Sequence, residues 1–203
     1  MSWRTVLRSR IFDAVHNVET TKPMLLQDLT IQGSNREHGV LYEPTDMGVA
    51  REVLAALPLR DHNRFTFLDY GSGKGRMLML ASWYPFMEII GIEFTSELHE
   101  IAQRNLQRFF GWGKTQCRKV RSCLADATTF PIPPVPLVVY LFNPFHAPVV
   151  EQVWRNLEQS NTETPRDVYI VAVSWARRHF ENKPVETVHQ NPSFNIYRIH
   201  PTS

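Results

Sequence analysis

Cysteine is scarce in this sequence, and long apolar runs are absent from it. Its two cysteines, Cys117 and Cys123, form no CxxC pair and stand beside no histidine cluster. This spacing argues against a zinc-finger motif and a disulfide framework, and it predicts a cytoplasmic protein in a reducing compartment. No apolar run reaches the length of a membrane span, so the sequence predicts no transmembrane segment.

A strong charge of one sign is also lacking. The sequence holds 22 lysines and arginines against 20 acidic residues, and a net charge of +2 is too small to indicate a nucleic-acid partner by itself. Apolar residues make up 43% of the 203 positions, which is ordinary for a globular domain with one sizeable core.

The first sixty residues predict helix and loop. Apolar side chains recur at helical spacing near the N-terminus: Trp3, Leu7, Ile11, Val15 and Val18. Three arginines precede the first acidic residue: Arg4, Arg8 and Arg10. The pattern is typical of a helix that packs on the domain, of a transit peptide or of a membrane-surface helix, and we favour the packed helix.

From residue 65 onward, strand-like and helix-like segments alternate. The stretches RFTFLDY, EIIGIEF, VRSCLAD, LVVYLF and DVYIVAV predict strands, and helical patterns separate most of them. Such alternation predicts parallel pairing, because parallel neighbours need a long crossover. Two further extended pieces flank Asn191-Pro192 and predict a closing hairpin. The sequence therefore predicts an α/β fold: a doubly wound, mostly parallel seven-stranded sheet with a C-terminal antiparallel hairpin.

Three glycines in five positions follow the first predicted strand, in LDYGSGKGR. A P-loop is excluded because Lys74 is followed by Gly75, and the dinucleotide fingerprint is disfavoured because Arg76 stands at its third glycine. The remaining pattern is an acid followed by alternating glycines: Asp69, Gly71, Gly73 and Gly75. A carboxylate here would repel a pyrophosphate but suits a cation, such as the amino group of S-adenosylmethionine, and the glycines let the backbone approach it closely.

Two further acids follow the next two predicted strands. Glu93 ends IIGIE, where a carboxylate can accept hydrogen bonds from both hydroxyls of a ribose. Asp126 follows CLA, where it could accept the exocyclic amine of an adenine. A solvated loop acid and a helix N-cap are the alternative interpretations, but three acids at three successive strand ends favour a cofactor site.

These residues carry a family resemblance. From Tyr42 to the end, the chain resembles class I, seven-stranded S-adenosylmethionine-dependent methyltransferases: DYGSGKGR is similar to their first motif, GIEF to the second, and the stretch ending at Asp126 to the third. Residues 1–38 lie outside the resemblance. The predicted organisation is a helical N-terminal extension and pocket-covering segment at 1–60, followed by a Rossmann-like methyltransferase domain at 61–203 that folds as one unit. The resemblance also implies that YEPT covers the methionyl end of the cofactor through Tyr42 and Thr45. The remaining implied cofactor residues are Ser72, Phe94, Ala127 and Asn143.

The methyl acceptor is expected beside the turn after the fourth strand. Asn143, Pro144 and Phe145 are the predicted catalytic residues: the asparagine would orient an amine, and the phenylalanine would wall the acceptor. His146 could take the proton, although a solvated turn histidine is the simpler interpretation. The turn resembles that of Dot-type and small mitochondrial lysine methyltransferases, which implies a nitrogen acceptor, with a protein lysine favoured over a nucleobase amine or a small metabolite.

Two other function classes stay open. A nicotinamide-dependent oxidoreductase would share the ribose-binding acid, but Arg76 and the absence of a Tyr-x-x-x-Lys pair disfavour it. A non-catalytic RNA-binding module would use basic residues around GWGKTQCRKVR, although a solvated positive face explains them more simply. These residues are Arg104, Arg108, Lys114, Arg118, Lys119 and Arg121. No metal site is predicted.

Overall fold

A computed structural model describes residues 3–22, 24, 42–111, 113, 115–143 and 146–200. The strands are β1 (Thr66–Tyr70), β2 (Glu88–Glu93), β3 (Val120–Leu124), β4 (Leu137–Phe142), β5 (Val168–Val173), β6 (Glu186–Gln190) and β7 (Phe194–Ile199). The α-helices are α1 (Trp3–His16), α2 (Met47–Ala56), α3 (Arg76–Ala81), α4 (Ser96–Phe110) and α5 (Ala147–Glu163). A 3-10 helix, Ser174–His179, follows β5.

All seven strands form one sheet in the order β3-β2-β1-β4-β5-β7-β6. The first five pair in parallel, whereas β7 runs antiparallel to both β5 and β6. The predicted α/β fold with its terminal hairpin is therefore confirmed. The chain order reverses between β1 and β4, and in such sheets ligands bind outside the carboxyl ends of the strands at this reversal.

Both faces of the sheet are covered, which explains why β1 is buried throughout and why β4 and β5 are apolar along nearly their whole length. Side chains from α1 to α4 pack on one face, among them Phe12, Val53 and Leu78. On the other face, α5 contributes a helical stripe: Val149, Val150, Val153, Trp154 and Leu157. Each such buried side chain contributes roughly 1.5–3 kcal/mol to folding.

Local sequence signals explain several boundaries. Helix α2 begins after Asp46, whose carboxylate accepts hydrogen bonds from the N–H groups of Gly48 and Val49. The hairpin turn is closed by Asn191, whose side-chain oxygen accepts the N–H groups of Ser193 and Phe194 at 2.8 and 2.9 Å. One extra residue of β6 shifts the β6–β7 register between Thr187 and His189.

One boundary differs from expectation. Helix α3 ends at Ala81, earlier than RMLMLASWY suggests, because Pro85 disfavours a helical conformation at Tyr84. Strand β1 ends at Tyr70, as RFTFLDY predicts, so Asp69 lies inside the strand, one residue before its end.

Helix α1 packs on the domain with one face, as predicted. The ring of Phe12 lies 6.0 Å from that of Phe109 and 6.3 Å from that of Trp83, measured between centroids. The opposite face of α1 is exposed. Within the described ranges, none of the helices combines the length and the apolar character that crossing a bilayer requires.

Candidate functional site

The glycine-rich loop joins β1 to α3 in a backbone shape that side chains disfavour. Gly71, Gly73 and Gly75 have φ angles of 78°, 52° and 80°, a left-handed region that glycine adopts without steric cost. The N–H groups of Gly71 and Ser72 donate to the carbonyl of Ile92, at 2.8 and 3.1 Å. The loop is thereby fastened to the end of β2.

The glycines also admit close neighbours from the chain itself. A β-carbon on Gly73 would overlap the ring of Tyr42, and one on Gly75 would lie 3.3 Å from the β-carbon of Ala102 on α4. Gly91 of β2, which the sequence interpretation missed, is needed because its β-carbon would lie 2.5 Å from Ser72 Oγ. The absence of a β-carbon at these glycines therefore permits close packing around the loop, in addition to the predicted approach of a ligand.

Asp69 and Glu93 are buried at the ends of adjacent strands. The Glu93 carboxylate accepts the N–H groups of Gly73 and Thr95, at 2.8 and 3.0 Å. Burial, together with the negative charge of Glu93, raises the pKa of Asp69 to about 8. Burial also raises the pKa of Glu93, against the lowering effect of its hydrogen bonds.

Asp126 follows β3, the neighbour of β2. The N–H of Ala125 donates to the carbonyl of Glu93 at 2.9 Å, which holds this segment beside β2. Asp126 Oδ1 accepts the N–H and the hydroxyl of Thr128, at 2.8 and 2.7 Å, and so shapes the following turn. The three predicted acids therefore share one edge of the sheet, with Ala127 buried and Phe94 half-buried beside them.

A cleft at the reversal point brings together residues from three separate parts of the sequence. Five predicted cofactor residues line it: Tyr42, Thr45, Asp69, Gly71 and Ser72. Tyr140 of β4, which the sequence interpretation missed, also lines it; its register partner is Asp69 and its hydroxyl lies 3.1 Å from Thr45 Oγ1. A tyrosine in the otherwise apolar stretch LVVYLF is the only signal that could have indicated it.

The basic residues of the loop bind the N-terminal segment. Lys74 Nζ donates to Glu19 Oε1 at 3.1 Å and to the Lys22 carbonyl at 2.8 Å. The buried Arg76 guanidinium donates to Thr20 Oγ1, at 2.8 and 2.6 Å, and to further groups. Its further acceptors are Ser9 Oγ, Thr21 Oγ1 and the Thr45 carbonyl.

Residues 17–22 are held beside the loop by several other contacts. Asp13 accepts the N–H and hydroxyl groups of both Thr20 and Thr21, at 2.5–2.8 Å. The Tyr42 hydroxyl donates to the Thr20 carbonyl at 2.8 Å, and Asn105 of α4 bridges the backbones of Glu19 and Lys74. We call this set of contacts the Arg76 network. The sequence interpretation missed its role because its members lie far apart in the chain.

Two residues near the predicted position of the methyl acceptor have an unusual backbone conformation. Asn143, directly after β4, and Ser174, directly after β5, have φ angles of 44° and 59°, values that cost energy for residues other than glycine. Asn143 Oδ1 accepts the N–H of Ala176 at 3.2 Å, which joins the two strand ends. His146 is exposed and precedes α5, whereas Pro144 and Phe145 lie outside the described residues.

The described residues suit a ligand that brings hydrogen-bond donors and positive charge. Ser72 Oγ is buried without a partner, and no described residue donates a hydrogen bond to the Asp69 carboxylate. The nearby ammonium of Lys74 is engaged by Glu19. Since burial raises the pKa of both acids, a ligand that brings hydroxyl or ammonium groups would stabilise their charged forms, whereas a phosphate would not.

The raised pKa of Asp69 predicts a pH-dependent stability. Because the folded chain retains a proton there that the unfolded chain releases, the free energy of unfolding should fall between about pH 4 and pH 8 and level off above it. Glu93 contributes in the same direction. Urea unfolding across this range should give a shallower decline for Asp69→Asn than for the unmodified protein; parallel slopes would contradict the assignment.

Comparisons with known proteins agree with the fold. No protein-family profile and no curated sequence matches the chain. Among solved structures, a protein from Pyrococcus horikoshii described as a candidate RNA methyltransferase shares 18% identity over 97% of this chain and 100% of its own, with a TM-score of 0.57. A precorrin-6y C5,15-methyltransferase from Geobacter metallireducens shares 16% identity over 86% and 94%, with a TM-score of 0.53.

A third structure, MtNAS in complex with S-adenosylmethionine, shares 16% identity over 77% of this chain and 62% of its own, with a TM-score of 0.50. At these identities the likeness concerns the fold alone. The chain therefore has the seven-stranded fold found in S-adenosylmethionine-dependent methyltransferases.

Proposed function

We propose that this protein is an S-adenosylmethionine-dependent methyltransferase that acts on a nitrogen. The observation that carries the proposal is the cleft at the strand-order reversal, where the Tyr42–Thr45 segment faces Asp69 and the glycine loop. The fold is shared with a precorrin methyltransferase and with a candidate RNA methyltransferase, which supports the proposal. A third protein of similar fold has been solved in complex with S-adenosylmethionine.

We assign each of the three predicted acids to one part of the cofactor. Asp69 would attract the ammonium of the methionyl part, and Ser72 Oγ would gain a hydrogen-bond partner there. Glu93 would accept the ribose hydroxyls, because a carboxylate at the end of β2 can take hydrogen bonds from both of them. Asp126, with Ala127 and Phe94 beside it, would receive the adenine.

When bound, S-adenosylmethionine supplies a methyl group on a sulfonium that a nitrogen lone pair can displace in line. Asp69 and the glycine loop would therefore fix the donor's position, and Tyr42 and Thr45 would exclude water from it. A half-buried Tyr42, whose hydroxyl donates to the Thr20 carbonyl, and a Thr45 hydroxyl that contacts the Tyr140 hydroxyl give this covering segment a defined conformation.

We place the acceptor nitrogen beside Asn143. Asn143 has a positive φ angle directly after β4. Its side-chain oxygen accepts the N–H of Ala176, so the side chain lies beside the Ser174–His179 helix. A protein lysine is the acceptor we favour, because the turn Asn143-Pro144-Phe145 resembles that of lysine methyltransferases. A nucleobase amine is the competing acceptor, since a structural neighbour is described as a candidate RNA methyltransferase.

Two measurements test the proposal. Titration calorimetry with S-adenosylmethionine and S-adenosylhomocysteine should show binding of both, and the absence of binding would refute the proposal. Transfer of a tritiated methyl group should then be followed in lysate separated into protein, nucleic-acid and small-molecule fractions. Label in the nucleic-acid fraction alone would refute the lysine assignment while leaving methyl transfer intact.

Paired substitutions at Asn143 separate its side chain from its backbone. Asn143→Gly accommodates the left-handed φ, whereas Asn143→Ala does not, and both remove the amide. If the amide orients the acceptor, both variants should lose about 100-fold in kcat while the Kd for S-adenosylmethionine is unchanged. A glycine variant with the original kcat would show that the side chain has no catalytic role.

The alternative classes receive less support. Arg76, at the third position of a dinucleotide fingerprint, is buried and committed to the N-terminal segment. Of the basic residues proposed for RNA, Arg121 is paired with Glu88 at 2.8 Å and Arg104 lies 3.8 Å from Glu100. Trp112 and Lys114 lie outside the described residues.

A further inference from the structure

Helix α1 presents a second apolar face whose large side chains remain exposed to solvent. Four large apolar side chains on this face are between 48% and 70% exposed: Trp3, Leu7, Ile11 and Val15. They recur every fourth residue, so with the exposed Ala14 they cover about a third of the helix circumference. We call these five residues the outer face of α1.

This exposure is concentrated rather than scattered. Among the described residues, the large apolar side chains that are exposed include, besides the outer face, Met87 and Leu124, which lie on separate elements. Single exposed apolar residues are normal, whereas a continuous stripe indicates a surface that binds something.

The opposite face of α1 is firmly attached, so the outer face cannot turn inward. Ser9 receives a hydrogen bond from Arg76 at 3.1 Å, Phe12 packs on Phe109, and Asp13 holds Thr20 and Thr21. One side of α1 thus packs on the domain, and the other is presented to solvent.

Basic residues border the outer face. Arg8 and Arg10 are exposed and form no ion pair with a described residue. Beside the face lies a groove of about 540 Å³ between α1 and α2. Ile11, Val15 and Arg8 line it from α1, and Arg51 and Glu52 line it from α2.

We propose that the outer face of α1 binds the surface of a bilayer that contains anionic phospholipids. Apolar side chains with a terminal tryptophan would enter the boundary between headgroups and acyl chains, and the bordering arginines would contact phosphates, as in interfacial helices. A second copy of the chain fits less well, because a face-to-face pair of α1 helices would bring arginines together. The helix would lie on the membrane and not cross it.

Co-sedimentation of the 203-residue chain with vesicles tests this proposal. The protein should pellet with phosphatidylcholine vesicles that contain phosphatidylserine, and binding should weaken with salt. The Leu7→Glu/Ile11→Glu variant should reduce the partition coefficient by about tenfold or more, and Arg8→Gln/Arg10→Gln should reduce it on anionic vesicles. Met87→Glu is the control, since it places a glutamate at an exposed apolar site elsewhere, and it should bind normally.

Several results would overturn the proposal. These are no binding by the unmodified chain, equal binding by the double glutamate variant and the Met87 control, or equal binding to vesicles without phosphatidylserine. A dimer that Leu7→Glu/Ile11→Glu dissociates, without any vesicle binding, would assign the face to self-association instead. Urea unfolding of each variant identifies loss of fold, and the arginine variant, which leaves the apolar residues intact, provides an independent test.

Discussion

Glu93→Ala is expected to raise the Kd for S-adenosylmethionine by about 30- to 150-fold. This corresponds to roughly 2–3 kcal/mol, the contribution of charge-assisted hydrogen bonds to two ribose hydroxyls. The structure adds a second reason, because the same carboxylate holds the N–H groups of Gly73 and Thr95. Glu93→Ala should therefore release the N–H groups that the carboxylate holds in the glycine loop and after β2, and it should also remove the proposed contact with the ribose. Titration calorimetry gives the affinity directly.

Two companion variants make this measurement specific. Glu93→Gln keeps an acceptor oxygen without the charge, so its Kd should fall between those of the alanine variant and the unmodified protein. Glu100→Ala removes an exposed acid on α4 that forms only a long ion pair with Arg104, and it should bind the cofactor normally. An unchanged Kd for Glu93→Ala would remove Glu93 from the binding site.

Arg76→Met should lower the free energy of unfolding by about 3 kcal/mol, because it leaves several buried acceptors without their donor. The guanidinium contacts Ser9, Thr20, Thr21 and Thr45, so its loss affects the N-terminal segment and the covering segment together. We expect the Kd for S-adenosylmethionine to rise in parallel. Urea denaturation measures the first effect, and calorimetry measures the second.

The matched control is Arg104→Met, which removes a mostly exposed arginine from α4. Its free energy of unfolding should stay within about 0.5 kcal/mol of the original value, as is usual for surface substitutions. If Arg76→Met is equally mild, the Arg76 network does not hold the N-terminal segment in place.

The fold could be predicted because its signals are local and periodic. An apolar run such as LVVYLF, followed by a helical pattern, identifies a buried parallel strand and its crossover without any long-range information. The strand order could not be derived from those signals, because periodicity does not say which strands are neighbours in the sheet. The early end of α3 depends on Pro85, a signal present in the sequence that the helical pattern of RMLMLASWY outweighed.

The candidate site could be predicted only in part, for a related reason. Asp69, Glu93 and Asp126 were predictable because each lies at or just beyond the end of a strand, and parallel strand ends share one edge of the sheet. Arg76 was interpreted only as a misfit to a glycine motif, because its partners Thr20 and Thr45 lie 56 and 31 positions away in the chain. Contacts across such separations leave no periodic trace.

The two outer strands of the sheet bear on how the protein behaves at high local concentration. An unprotected outer strand is a template for pairing with another molecule. On β6, the extra residue between Thr187 and His189 interrupts the regular spacing of backbone groups. On β3, Arg121 is exposed and paired with Glu88. Both features oppose strand-to-strand aggregation, so copies crowded at one location would remain separate molecules.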